Sequence, residues 1–278
     1  MYEELIPKIE IGNLLVDLIN YLVDNYSWFF DGLSEIIKQI VVLFNDGLLI
    51  IPPLLFVAII ALIVWKVVNL KTVPFTIVFL LAIISMGLWE ISMNTLALII
   101  TSTLIALIFG IPLGIMKARS KKVELLLNPL LDFMQTLPSL AYLIPAVLFF
   151  GTGVAPGVLS TVIFAMPPTI RLTALGIEQV SDQLVEVGES FGATSWQILT
   201  KIELPTAMPS ILMGINQTIL LSFSMVVISG FIGSGGLGDS IISGIQRYSL
   251  APALEAGIAV TFLAVIFDRI TRNLVKNS

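Results

Sequence analysis

Apolar residues in this chain come in long runs. Residues 49–66, 73–90, 93–116, 124–150, 156–177, 206–232 and 253–270 are mostly apolar and bounded by charge, proline or glycine. A helix needs about 20 such residues to cross hydrocarbon, and these runs approach or exceed that length. They lack the alternation of a membrane barrel, so the backbone polar groups must be satisfied within helices. The pattern predicts an all-α polytopic membrane protein with about seven membrane helices. The fourth run is irregular. "NPLLDFMQTLPSLAYLIP" carries Asp132 and Gln135 among three prolines, which predicts a tilted or broken helix.

Residues 10–46 follow a different pattern. Leu14, Leu18, Tyr21 and Leu22 share a helical stripe, while Asp17, Asp24, Asp31 and Glu35 recur beside it. That pattern predicts amphipathic helices lying in the membrane interface, an external scaffold over residues 1–47, since repeated acids are costly inside a bilayer. A shortened span is the alternative.

Composition strengthens the membrane assignment. Hydrophobic residues make up 57 % of the 278, charged residues 12 %, and the mean hydropathy is +1.02. There is no cysteine and no histidine, which excludes disulfides, thiolate chemistry, His-based metal sites and Ser-His or Cys-His catalysis. The opening "MYEELIPKIEIGNLL" lacks the basic-then-apolar build of a cleaved signal peptide, so the whole chain is expected to be mature. The net charge of −5 gains meaning only when the cations are divided by side. With "KARSKKVE" placed inside, Lys66, Lys71, Lys117, Arg119, Lys121, Lys122, Arg171, Lys201, Arg269, Arg272 and Lys276 fall at or near the cytoplasmic side, against Lys8, Lys38 and Arg247 outside. This asymmetry predicts an outside N-terminus and a cytoplasmic C-terminus. Trp65 and Trp89 fall at span ends, where indole rings favour the headgroup level.

Residues 178–205 interrupt the apolar pattern as the longest cytoplasmic insertion. Ser181 or Asp182 can cap a first helix on which Leu184, Gly188 and Phe191 share a face and Glu186 and Glu189 point elsewhere. Gly192 supplies the stop. Thr194 and Gln197 have capping-box spacing, which predicts a second short helix exposing Trp196, Leu199 and Ile202 and ending at Pro205. Two short helices joined by a glycine elbow make a knob suited to a groove on a cytoplasmic partner. A helix lying on lipid is the alternative.

The spacing of Glu186, Gly192, Ile202, Leu204 and Pro205 resembles the "EAA" loop of ABC importer permeases. In that family the loop is the coupling helix that docks on the ATP-binding subunit. The resemblance therefore assigns ATPase coupling to Glu186, Gly188, Gly192, Ala193, Trp196, Leu199, Ile202, Leu204 and Pro205. Val187 and Gly188 stand where the family has alanines. The segments "LDFMQTLPSLAYLIPAVLFFGTG", "VIFAMPPTIRLTALGIEQV", "GINQTILLSFSMVVISGFIGSGGLG" and "LEAGIAVTFLAVIFDRIT" are similar to permeases of glycine betaine and proline betaine importers, over roughly residues 90–273. The resemblance implies a type I ABC importer (MetI-like) core over 91–278, preceded by two membrane helices in 48–90. It also implies two ATPase subunits, a second, identical permease copy and an extracellular or periplasmic substrate-binding protein, in a bacterial cell membrane. No G-K-[ST] occurs in the chain, so ATP and Mg are expected on the ATPase partner, with no cofactor or nucleic acid here. Choline, carnitine and methionine permeases are the runners-up.

Candidate path residues are polar groups and prolines within apolar spans: Gln135, Pro138, Tyr142, Pro167, Asn216, Gln217, Ser222 and Ser224. For Asn216, Gln217 and the serines, hydrogen bonding between helices is an equal alternative. "GSGGLGDS" is expected as a flexible external turn. An ion-driven carrier would predict inverted repeats, and no convincing internal repeat is visible in the sequence.

Overall fold

The computed structural model describes residues 11–277. Lys8, and the side chains of Leu14 and Lys276, lie outside the described residues. The described residues contain helices and turns and no strand. Helix α1 (Ile11–Leu49) is two helical segments joined at a kink, where Tyr26 has non-helical torsions. Its first half is largely exposed, with the acids Asp17, Asp24, Asp31 and Glu35 outward. Its second half buries Ile37 and Val41 in the main core and lies across α4 (Trp89–Arg119) and α6 (Leu143–Phe150). Phe30 continues the contact by stacking on Phe149 at 5.1 Å.

Among the described residues, four helical stretches are long and apolar enough to cross a membrane: Trp89–Arg119, Val154–Glu178, Ser195–Ile232 and Leu250–Leu274. Two bent pairs, each taken as one span, bring the number up to six. In the first, α1 turns by 94° into α2 (Pro53–Val67). In the second, α5 (Lys121–Thr136) turns by 114° into the helical stretch Ser139–Phe150, which ends in α6. The irregular fourth run is therefore broken, as its prolines predicted. Pro138 starts a 3-10 turn, and the Tyr142 hydroxyl donates across the corner to the Met134 carbonyl.

The second predicted run, 73–90, is shorter in the structure: it yields α3 (Val73–Ser85), 13 residues or about 20 Å of helix, preceded by the 3-10 turn Leu70–Thr72. Gly87 at φ +70 turns the chain there, and Trp89 opens α4 rather than closing α3. Hydropathy counts Met86–Leu88 as apolar and misses the turn.

Helices α4, α7 (Val154–Glu178) and α10 (Leu204–Ile228) form the central packing unit. Small residues let their backbones approach: a Cβ on Gly114 would lie 2.6 Å from the Thr173 Cβ, and one on Gly176 2.8 Å from the Ser210 Cβ. Helix α7 continues without a break past Pro167 and Pro168. Thr218 Oγ1 of α10 donates to the Ala165 carbonyl at 3.0 Å and pairs with Thr169 Oγ1 at 2.7 Å, joining the two helices beside the prolines. Helix α12 (Leu250–Asn277) closes the bundle against α10 and α11 (Gly236–Gln246), with α2 and α3 on its outer side.

Candidate coupling knob and permeation face

The polar insertion begins with α8 (Asp182–Ser190), preceded by Ser181 at the cap position without a side-chain cap bond. Its end follows from Gly192. At φ +77 this residue occupies the left-handed region, so its own N–H reaches the Glu189 carbonyl at 2.8 Å and the Ala193 N–H reaches the Gly188 carbonyl at 3.0 Å. Helix α9 (Ser195–Ile198) starts at once from the predicted capping box. Gln197 N–H donates to Thr194 Oγ1 at 3.3 Å, and Thr194 N–H donates to Gln197 Oε1 at 2.8 Å.

The second helix does not end at Pro205. Leu199–Glu203 form a π-helical turn in which Leu204 N–H donates to the Leu199 carbonyl, five residues back, and the helix continues as α10 to Ile228. Pro205 sits in the first turn of α10, just after the π turn, and has no N–H to donate back along the continuous helix. The membrane helix predicted to start at 206 is thus the upper part of a 38-residue rod beginning at Ser195.

Exposure divides the predicted coupling residues. Trp196 is 70 % exposed, but Leu199 is 5 % exposed, packed with Ile177, Ala207 and Ile211. Leu199 is therefore a core residue, not a docking contact, because the π turn rotates it toward α7. Ile202 is half-buried and fills the space left by Gly188, where a Cβ would lie 2.7 Å from Ile202 Cδ1. Leu204 is also half-buried, while Glu186, Gly192 and Pro205 are exposed and Ala193 is intermediate. A further exposed apolar face runs along α8 to its C-cap: Leu184, Val187 and Phe191 are exposed, Phe191 at 88 %. Its signal was the 3,4 spacing leading to an aromatic just before the glycine stop. Phe191, Gly192, Ala193, Gln197, Lys201 and Ile202 surround an open cavity of about 350 Å³ between the two helices.

Long-range ion pairs hold the knob against the bundle. Arg119, at the end of α4, meets Glu203 at 2.5 Å and donates to the Ser195 carbonyl at 3.4 Å; Lys117 lies 3.9 Å from Glu178. The local sequence gave no sign of these pairs, since the first spans 84 residues. Arg171 of α7 reaches Asp132 of α5 at 2.5 Å, linking the bent pair to the central unit.

The path candidates separate into two sets. Tyr142, Pro167, Asn216 and Ser222 are buried within this chain. Asn216 accepts from Thr271, and Ser222 accepts from Thr103 at 3.3 Å and donates to the Thr218 carbonyl at 2.9 Å. These two make the interhelical bonds weighed as the alternative. Gln135, Pro138, Gln217 and Ser224 are exposed. Gln217 and Ser224 are seven residues apart and share a stripe of α10 with exposed Met213.

The glycine segment 233–238 is fixed rather than flexible. Gly233, Gly235 and Gly236 all have positive φ, Leu237 N–H donates to Thr95 Oγ1 at 2.8 Å, and Ser229 and Ser234 hydroxyls pair at 2.6 Å. A Cβ on Gly238 would lie 2.6 Å from the Val226 carbonyl oxygen, so the glycines here serve close packing as well as turning.

Comparison with known proteins agrees with this geometry. Residues 110–277 match the family described as "Binding-protein-dependent transport system inner membrane component". The chain is 40 % identical over 269 residues to the glycine betaine transport system permease protein OpuAB of Bacillus subtilis, covering 97 % of this chain and 95 % of that one. It is 44 % identical over 278 residues to the glycine betaine/carnitine transport permease protein GbuB of Listeria monocytogenes, covering 98 % of each. It is 41 % identical over 277 residues to the glycine betaine/proline betaine transport system permease protein ProW of Escherichia coli, covering 100 % of this chain and 77 % of that one. Among solved structures, an inward-facing MetNI methionine ABC transporter chain aligns with TM-score 0.62 at 19 % identity, over 68 % of this chain and 95 % of that one, which establishes a shared fold. The helical core, the capped knob and these matches make the chain a member of the inner-membrane components of binding-protein-dependent transport systems.

Proposed function

We propose that this chain is the membrane subunit of an ATP-driven importer for glycine betaine or a related quaternary ammonium osmoprotectant. The observation that carries the proposal is the knob. Phe191 and Trp196 are exposed at one end of the bundle, on a segment whose second helix runs unbroken into α10. Large exposed aromatics beside a cavity suit a partner's groove, and a rigid connection to a central helix carries the partner's movement inward. The knob end also gathers Lys117, Arg119, Lys121, Lys122 and Lys201, which supports a cytoplasmic placement, with the C-terminus inside and the N-terminus outside.

In this reading two ATPase subunits bind ATP and Mg and dock on the knobs of two identical permease copies, while an external binding protein delivers solute. Residues 91–278 form the core, 48–90 flank it, and 1–47 form the external scaffold. The exposed α10 stripe of Met213, Gln217 and Ser224 faces the path between copies, with Gln135 and Pro138 the other exposed candidates. A quaternary ammonium has no N–H to donate, and aromatic cages are its usual tight recognition site. Such a cage belongs on the binding protein, because the path must release solute as readily as it admits it. The aromatics support this division: Phe223 meets Phe267, and Tyr142 meets Phe164, as packing pairs.

The decisive experiment is uptake of labelled glycine betaine into vesicles carrying this chain with its copurifying subunits. Uptake is expected only with ATP and binding protein. Accumulation by the purified chain alone under an ion gradient would refute the proposal. Carnitine is a second substrate candidate, since the Listeria relative is a glycine betaine/carnitine permease; competition by unlabelled carnitine measures it.

A further inference from the structure

A pocket of about 340 Å³ opens between the α2–α3 turn and the last turns of α12, on the opposite side of α12 from α10. Its walls are Phe75, Phe79 and Val265, and its rim carries Asn69, Lys71 and Arg269. Phe79 stacks on Phe262 with centroids 4.1 Å apart, fixing the floor where α3 meets α12. No lining residue is a carboxylate. The nearest acid in sequence, Asp268, is held by Arg272 at 2.8 Å, so Lys71 and Arg269 have no ion-pair partner among the described residues. Asn69 Oδ1 accepts from Thr72 N–H and Oγ1, both at 2.9 Å, which pins the turn and directs the remaining amide group to the rim.

Apolar walls below two uncompensated cations describe one chemistry: an anion with hydrocarbon attached. We infer that this pocket is a binding site for an anionic phospholipid, its phosphate between Lys71 and Arg269 and an acyl chain along Phe75 and Val265. A zwitterionic headgroup brings a cation against Lys71 and Arg269 and fits poorly, and a free inorganic phosphate leaves the apolar wall wet. The position agrees with the site's chemistry, since the α2–α3 turn and the end of α12 both carry the charge excess typical of the cytoplasmic headgroup layer. This inference is independent of the transported solute.

The test is native mass spectrometry of the full-length chain extracted from membranes and exchanged into micelles containing equal phosphatidylglycerol and phosphatidylcholine. The wild type is expected to retain phosphatidylglycerol selectively. Removal of each cation lowers retention about fivefold, the usual worth of one basic residue near an anionic surface, so Lys71→Gln/Arg269→Gln is expected to lose nearly all of it. Lys71→Arg/Arg269→Lys keeps the charges and retains the lipid, which separates loss of the site from misfolding. Lys122→Gln, a cation elsewhere on the same face, has no effect. Excess inorganic phosphate leaves the lipid bound. Equal retention of the two lipids, equal retention by wild type and the double glutamine variant, loss in the charge-keeping variant, or displacement by inorganic phosphate would each overturn the assignment. So would a wild type that carries no lipid because a protein segment fills the pocket.

Discussion

Phe191 and Leu199 are both large apolar residues of the knob, and their exposures lead to opposite expectations. Phe191→Ala removes surface contacts only, so the thermal transition in detergent is expected within about 0.5 kcal/mol of wild type. Copurification of the ATPase subunit is expected to fall about tenfold, the order of a lost interface anchor. Leu199→Ala opens a hole against Ile177, Ala207 and Ile211 and is expected to lower stability by about 2–5 kcal/mol in the same melt. If both variants lose stability equally, Phe191 is not a free docking residue. Gly192→Pro is harsher, because proline fixes φ near −65° against the observed +77° and removes the N–H bonded to Glu189. The protein is expected to reach the membrane without uptake. Normal uptake would deny the elbow its role.

At the scale of elements, the Leu199–Glu203 π turn sets the orientation of α9 relative to α10. Deleting Thr200 restores the ordinary register and rotates α9 by about 100° around the rod. The expected result is an inserted, folded subunit with uptake lost, measured in vesicles; unchanged uptake would mean that the register is unimportant. The anchor is tested by Arg119→Gln, Glu203→Gln and the double variant. A coupling of about 1–2 kcal/mol is expected from a charge-assisted bond on a partly buried carboxylate. Caps, glycine stops and apolar runs were readable in the sequence because they depend on neighbours within a turn or two. The capping box at Thr194 and the break at Pro138 are of this kind. The π turn was not readable, since a single wide turn inside a continuous helix leaves no mark in the spacing of caps and stops. Nor was the end of α3, because Gly87 sits among residues that hydropathy alone treats as one span.

Across the whole molecule, the central unit depends on small residues at helix crossings. Gly176→Leu drives a side chain into Ser210 and Ala207 and is expected to prevent assembly of the bundle, seen as aggregation on extraction. The chain has no cysteine, so single thiols can map its outer faces without background. If the α10 stripe faces a second copy, Met213→Cys is expected to form an oxidant-dependent dimer, while Leu254→Cys, exposed near the other end of α12, is not. The reverse result would move the contact between copies to another face. The bundle core was legible as apolar length, and the burial of Asn216 and Ser222 was foreseen only as an alternative. Which polar group meets Thr271 or Thr103 depends on helix rotation, and no single segment specifies that.

The stretch Ser195–Ile232 is a single stiff beam, about 57 Å long at 1.5 Å per residue. Its inner end carries the knob and its outer end leads directly into the glycine-locked segment held by Thr95. Pivoted near its middle, a tilt of about 5° would displace each end by roughly 2.5 Å, in opposite directions. A leverage of this kind would convert closure of a partner on one side of the bilayer into opening on the other, without any bond in the beam needing to break.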